Sequence, residues 1–282
     1  MSDSQFKVDF IGIGSGKCGS TWLYENMVQH PELHDGNPKE IHYFSDLYNN
    51  HDFQWYESLF AGSESKLKGE FSITYMYHPK SAERIYEHFP EAKIIAMVRD
   101  PITRTYSDYQ HFIRKGDVSK DYPFSEYIRD NEKLKFGQYS TYLEPFYKTF
   151  PKENILVLVL EEMQYDLAAC YRQVFEFIGV KDPSFLPEGV ADKRNQSANY
   201  RFLKLENILV RTYRFMARRG LTGFAERLKR SGVAQFLRKL NSTSRPLPEM
   251  DAESKQLLMQ VFANEEDKLV QLLGRNEQIW TR

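Results

Sequence analysis

The 282 residues contain two cysteines, Cys18 and Cys170, too few to argue a disulfide framework, and neither stands in a metal-ligand spacing. Long apolar runs are missing as well, so a membrane-spanning helix is not expected. No internal repeat or low-complexity segment occurs, which sets aside fibrous and disordered chains. Excess charge of one sign is lacking, the formal net charge being −1. Residues Met1 to Lys7 lead almost directly into the first strand and leave no room for a signal peptide, so a cytoplasmic location is expected. What remains is a chain of 41% apolar and 15% aromatic residues, long enough for one large α/β domain over residues 1–282 with a proper core.

The most informative stretch runs from Val8 to Trp22. An apolar strand enters the turn Gly14-Ser15-Gly16-Lys17-Cys18-Gly19, and a helix begins near Ser20-Thr21-Trp22. Glycines allow positive φ and close backbone approach, while the helix N-terminus and Lys17 add positive potential, which together make an anion cradle. The nucleoside-triphosphate form of such a loop wants a glycine five residues before Gly16 and a hydroxyl after the lysine to hold Mg²⁺. Ile11 and Cys18 occupy those places. The loop thus predicts a phosphorylated ligand handled without a metal, although glycine-rich turns also serve packing alone.

A second element strengthens the anion reading. Ala92 to Val98 reads as a buried strand ended by Arg99-Asp100-Pro101, with Pro101 placed to open a helix. Ser107 lies two turns further on. An arginine fork and a serine hydroxyl suit one phosphate, and with the first loop they suggest a ligand with two separated anionic ends.

These segments resemble the sulfotransferases that use 3′-phosphoadenosine 5′-phosphosulfate (PAPS) and release 3′-phosphoadenosine 5′-phosphate (PAP). Lys17 to Trp22 is similar to their 5′-phosphosulfate loop, and Arg99 to Pro101 with Ser107 to Tyr109 is similar to their 3′-phosphate motif. Likeness to the glycan branch, the heparan sulfate sulfotransferases and their bacterial relatives, is carried by Lys39-Glu40-Ile41-His42-Tyr43-Phe44, Trp55-Tyr56, Gly69 to Tyr75, and Pro79 to Arg84. Lys193-Arg194-Asn195-Gln196-Ser197 and the closing segment through Arg275 and Trp280 extend it. The resemblance implies a P-loop-like three-layer α/β/α fold and a donor site of Ser15, Gly16, Lys17, Cys18, Gly19, Ser20, Thr21, Trp22, Arg99, Ser107, Arg194, Asn195 and Ser197. It implies PAPS as donor, no metal, and a hydroxyl or amine acceptor on a carbohydrate, glycolipid or small molecule. Golgi anchoring is typical of the eukaryotic members, so the unanchored start of this chain points to a bacterial enzyme.

Alternating strands and helices imply a mostly parallel sheet covered on both faces. Helices are expected over Thr21–Gln29, Lys80–His88, from Pro101, within Phe124–Phe150, over Leu167–Ile178 closing at Gly179, and over Ala252–Leu273. Strands are expected near Lys68–Tyr75, Ala92–Val98 and Asn154–Leu160, the last reading as the clearest central strand because its apolar run is continuous. Glu161-Glu162 after it reads as loop charge. Residues 193–245 form a basic island with 14 Lys or Arg against Glu206 and Glu226. It reads as a basic amphipathic helical segment, open to three roles: a solvated face, a wall near donor or acceptor, or contact with an anionic membrane surface. Nucleic acid is not expected, since no binding motif accompanies the charge.

In the chemistry so implied, Lys17 takes the charge on the leaving phosphate and Glu40 is the general base, with His42 as the alternative base. Lys39 and Glu70 are placed to orient the acceptor or Glu40, and Tyr43 and Phe44 to stack on the acceptor. Where the glycan branch often carries a lysine and a proline-containing turn after the residue matching Glu70, Phe71-Ser72-Ile73 stands here, a departure that leaves the acceptor open. Two other classes compete: a nucleotide kinase or NTPase, against which Cys18 speaks, and a nucleotide-binding protein without turnover, against which Lys17 and Glu40 speak.

Overall fold

The computed structural model describes residues 6–34, 39–62, 66–119, 121–188 and 250–280, and the backbone alone of 199–200 and 242–243. Two compact units divide the chain. The first comprises Met1–Thr105, Asn131–Asn195 and Gln256–Arg282, and the second Tyr106–Asp130 and Gln196–Lys255.

The first unit is built on a four-stranded parallel sheet. Strand β1 (Phe10–Gly14) is buried throughout and leads to helix α1 (Ser20–Met27), whose Leu23, Tyr24 and Met27 fall on one buried face. A short α2 (Phe53–Ser58) starts where Asp52 accepts a hydrogen bond from the Trp55 N–H at 2.8 Å. Strand β2 (Gly69–Phe71) follows, then α3 (Ser81–His88), β3 (Lys93–Val98) and α4 (Pro101–Lys115). Pro101 occupies the first helical position, and Asp100 Oδ2 accepts from the Thr103 N–H at 3.1 Å, so local chemistry starts the helix where the sequence expects it. The expected helical region 124–150 is three helices, α5 (Phe124–Tyr127), α6 (Asn131–Lys135) and α7 (Tyr139–Thr149).

Strand β4 (Ile155–Val159) leads into α8 (Leu160–Tyr165) and α9 (Leu167–Ile178). Asp166 caps α9 by accepting from Ala169 N at 2.9 Å, and Gly179 closes it at φ 81°, a left-handed conformation that suits glycine. The strand order is β2-β1-β3-β4 with every pairing parallel. Helices join the strands because parallel neighbours need a crossover.

The expected central position of β4 is corrected: it is the edge strand of the sheet, and Leu156 and Val157 are only half-buried. Continuous hydrophobicity reports burial on two faces and carries no information about position in the sheet. The single closing helix is also corrected, to α10 (Ala252–Val261) and α11 (Glu265–Leu273). Glu265 at the break accepts from both Ser140 N at 2.7 Å and Ser140 Oγ at 2.9 Å.

In the second unit Tyr109 packs on Phe124 at 5.1 Å between ring centroids, and the Tyr109 hydroxyl donates to Tyr122 O at 2.6 Å. Strands β5 (Asn199–Tyr200) and β6 (Ser242–Thr243) pair antiparallel there.

Candidate active site

Because the chain passes from β1 outward to β2 and then to β3 on the other side, the sheet reverses direction of growth between β1 and β3. Open α/β sheets hold ligands at the carboxyl ends of the strands flanking such a point. Both anion segments stand there, the glycine loop after β1 and Arg99 after β3. A backbone bond from Ser15 N to Met97 O at 2.8 Å ties them together.

The loop runs into a helix start that no side chain caps. Lys17 at φ 71° and Gly19 at φ 89° turn the backbone around Cys18, and Gly19 begins α1 with no side-chain cap. Uncapped N–H groups at a helix start with the dipole behind them favour an anion, so the residues present fit a phosphorylated donor. Arg99 adds positive charge, its Nη1 lying 3.5 Å from Lys17 O and its Nε donating to Thr103 Oγ1 at 3.1 Å. Buried Arg104 braces the turn from below, donating from Nε to Gly16 O at 3.3 Å. Ser15 Oγ bonds the Tyr77 hydroxyl, and Cys18 Sγ lies 3.6 Å from the Tyr139 hydroxyl. Burial pushes the Cys18 thiol up, opposed by the Arg104 and Arg99 guanidiniums, so it is a protonated packing group.

Beside the loop lies a carboxylate cluster. Glu40 and His42 adopt left-handed conformations, φ 67° and 58°, rare for such residues and held here by their surroundings. Lys39 Nζ donates to Thr21 Oγ1 at 3.0 Å and pairs with Glu40 Oε1 at 2.7 Å. Glu40 Oε2 accepts from Ile73 N at 3.2 Å and faces His42 Nε2 at 3.6 Å. His42 Nδ1 is engaged with Thr74 Oγ1 at 2.9 Å, and its backbone N–H donates to Ser72 Oγ at 3.0 Å.

Ser72 Oγ passes this support inward, donating to Glu70 Oε2 at 2.7 Å, while Glu70 Oε1 accepts from the Tyr75 and Tyr56 hydroxyls at 2.7 and 3.1 Å. Burial pushes the Glu70 carboxyl up to about 7, although the three hydroxyls pull it down. A carboxyl raised on folding keeps its proton in the native state at pH values where the unfolded chain has lost it. Its contribution is therefore complete below about pH 4.5 and declines as pH rises to about 7, by up to ~1.4 kcal/mol per pH unit. Denaturant titrations of wild type and Glu70→Gln across this window are expected to differ in slope, the wild type losing stability relative to the variant as pH rises. Parallel pH profiles would show that Glu70 does not carry this dependence.

Several expected residues stand elsewhere. Tyr43 and Phe44, expected to stack on an acceptor, are 3% and 0% exposed and pack among Trp55, Tyr56 and Tyr75. Glu70, expected to orient the acceptor or Glu40, is fully buried and meets hydroxyls of the chain itself. Trp22 is half-buried against Tyr171, ring centroids 5.6 Å apart. Ser20 is buried at the start of α1 and Thr21 is exposed. Ser107 lies half-buried on α4 in the second unit. Arg194, Asn195 and Ser197, and the basic stretch 193–245 apart from the backbone of β5 and β6, lie outside the described residues.

Sequence reasoning missed Glu161. Its Oε1 accepts from Asp100 N at 3.1 Å and its Oε2 from Trp280 Nε1 at 3.1 Å, while Glu162 forms a two-pronged ion pair with Arg275. The pair read as loop charge is in the first turn of α8. A carboxylate directly after a strand that neighbours β3 was the available signal.

An uncapped helix start at the switch point of a parallel sheet defines an α/β protein built to hold a phosphorylated ligand. The profile of the sulfotransferase domain matches residues 7–223, and the chain belongs to that family. Over 97% of its length the chain is 28% identical to the bifunctional heparan sulfate N-deacetylase/N-sulfotransferase 2 of Bos taurus, of which it covers 30%. The chain thus spans under a third of the length of that relative. Across 43% of the chain it is 33% identical to the membrane-associated sulfotransferase kil1 of Dictyostelium discoideum, covering 27% of that protein. A sulfotransferase structure from Alicyclobacillus acidocaldarius superposes with a TM-score of 0.70 at 22% identity, covering 96% of this chain and 98% of that one, and shows the same three-layer fold. No described helix is long and apolar enough to cross a membrane, and no group of metal-ligating side chains occurs among the described residues.

Proposed function

We propose that Glu40 is the general base of sulfuryl transfer, that Lys17 stabilises the leaving phosphate, and that the acceptor is a hydroxyl or amine of a carbohydrate or glycolipid. When bound, the donor supplies an activated sulfuryl group on its 5′-phosphate. The chain's own contribution is to grip, align and remove a proton. The loop N–H groups and the Lys17 ammonium meet the 5′ end, and the Arg99 fork meets the 3′-phosphate. Lys39 carries the reading: one ammonium group touches Thr21 in the first turn of α1 and Glu40 on the neighbouring segment, bringing the proposed base beside the anion cradle. Glu40 keeps lone pairs to accept an acceptor proton, since among the described residues each oxygen has one close partner within 3.5 Å. His42 is spent on Thr74 through Nδ1 and faces Glu40 through Nε2, which supports a holding role. The heparan sulfate relative supports a carbohydrate acceptor, and its N-sulfotransferase name an amine.

Cys18 speaks against the kinase reading. Where a metal-holding hydroxyl would stand, its thiol is turned into the protein toward Gly16 O and Tyr139. PAP is accordingly expected to raise the melting temperature without added metal, and more than ATP with Mg²⁺ does, in a ligand titration followed by thermal unfolding. Equal stabilisation by the two would return the site to the nucleotide kinases. Arg99→Ala is expected to weaken PAP binding by about 1–3 kcal/mol, as for loss of a charged hydrogen bond, and an unchanged calorimetric titration would remove Arg99 from the site.

A further inference from the structure

The C-terminal segment after α11 reaches back to the donor end of the sheet. Gly274 closes α11 at φ 67°, Arg275 pairs with Glu162, and the backbone N–H groups of Ile279 and Trp280 both donate to Glu266 Oε1. These bonds fix the direction of Trp280, which is 5% exposed and buried in the main core. Its indole touches both anion segments at one remove. Nε1–H donates to Glu161 Oε2 at 3.1 Å, and the other oxygen of that carboxylate holds the N–H of Asp100 at 3.1 Å, the residue that follows Arg99 and caps α4. On its other side the indole lies 6.3 Å from the ring of Tyr139, whose hydroxyl meets Cys18 in the glycine loop.

We propose that Trp280 is a positioning residue for the donor: through Glu161 it sets the Arg99 turn, and through Tyr139 it backs the glycine loop, so that one side chain registers the two anion-gripping segments against each other. This rests on the reading that Arg99 takes the 3′-phosphate. The physical reason is the length of the chain between the segments. The loop and Arg99 are about eighty residues apart, and the strands that carry them end at Gly14 and Val98, so beyond Ser15 and Met97 the sheet no longer dictates their spacing. Asp100 N comes just after β3 ends and donates to Glu161, just after β4. A carboxylate without a second donor is free to rotate away, and the indole N–H holds it. The indole ring supplies the second contact, because an aromatic pair fixes a distance that a flexible side chain would not.

The test measures binding of PAP and of adenosine 5′-phosphate, which lacks the 3′-phosphate, to wild type, Trp280→Phe, Glu161→Gln and Arg99→Ala, all as the full chain. Trp280→Phe keeps a ring against Tyr139 and loses the N–H together with part of the indole's packed area. It is expected to weaken PAP by about 3- to 10-fold, the range of one net hydrogen bond, and to change adenosine 5′-phosphate less than about 2-fold. Glu161→Gln, which keeps the side-chain shape, is expected to lower the same PAP preference. A general structural role would lower both ligands together, and that outcome overturns the proposal. If Arg99→Ala abolishes the preference for PAP while Trp280→Phe and Glu161→Gln leave it intact, the positioning role fails and the donor reading stands. If Arg99→Ala leaves the preference unchanged, the donor reading fails and the proposal falls with it.

Discussion

Glu40→Gln is expected to lower turnover by roughly 10²–10⁴-fold with PAP affinity almost unchanged. The amide keeps the length and one acceptor oxygen of the carboxylate, so one of the two donors, Ile73 N or Lys39, keeps its acceptor while the other faces the amide NH2, and the amide cannot take a proton. Removal of a base acts only where the proton moves, and donor binding precedes that. Turnover with labelled donor and a working carbohydrate acceptor, set beside PAP calorimetry, separates the two quantities. His42→Ala is expected to be milder, because its contact with Glu40 is 3.6 Å long and Glu40 has two closer partners. A nearly active Glu40→Gln beside a folded, inactive His42→Ala would transfer the role to His42.

Lys17→Ala is expected to depress both turnover and PAP affinity. The ammonium is proposed to meet the donor phosphate before the reaction and to take more charge as the leaving oxygen develops it, so part of its effect appears in binding and a larger part in the rate. A charged hydrogen bond is worth about 1.5–3 kcal/mol in binding, and loss of one preorganised donor to a developing charge costs roughly 10²–10³-fold in turnover. The left-handed φ of 71° at Lys17 adds a control, since Lys17→Gly keeps the backbone freedom and Lys17→Ala does not. If the two variants lose activity equally, the charge carries the effect; if glycine restores it, the turn geometry does.

The glycine turn and the strand-end arginine were legible because their signal is local. Glycines at a strand-to-helix turn, a lysine among them and Pro101 after Arg99-Asp100 each have a backbone reason that operates within a few residues. The same is true of Gly179, whose left-handed closure of α9 follows from the residue type. The Lys39 to Phe44 motif was legible as a motif, yet the chemistry of its members was not. Tyr43 and Phe44 look like ligand-stacking rings in the sequence, and the core claims them, because several aromatics on neighbouring segments bury more area against one another than an open cleft would allow.

The broken closing helix and the edge position of β4 share another cause. Hydrophobic periodicity records which faces are buried and is silent on the neighbour that buries them. Glu265, written as one more helical carboxylate, interrupts the closing helix where it can satisfy Ser140 on α7, a partner 125 residues away.

Residue types and short spacings therefore specify the α/β alternation, the glycine-rich strand-to-helix loop, the strand-end arginine and the family. Which groups meet was settled only when distant segments packed. Lys39 joining Thr21 to Glu40, Ser72 joining His42 to a buried Glu70, and Glu161 joining Asp100 to Trp280 are contacts of 2.7 to 3.1 Å between residues up to 119 positions apart. Turn and cap chemistry is written into the few residues that make it, whereas a hydrogen bond across the core exists only after burial has removed water as the competing partner and left each polar group to find another within reach.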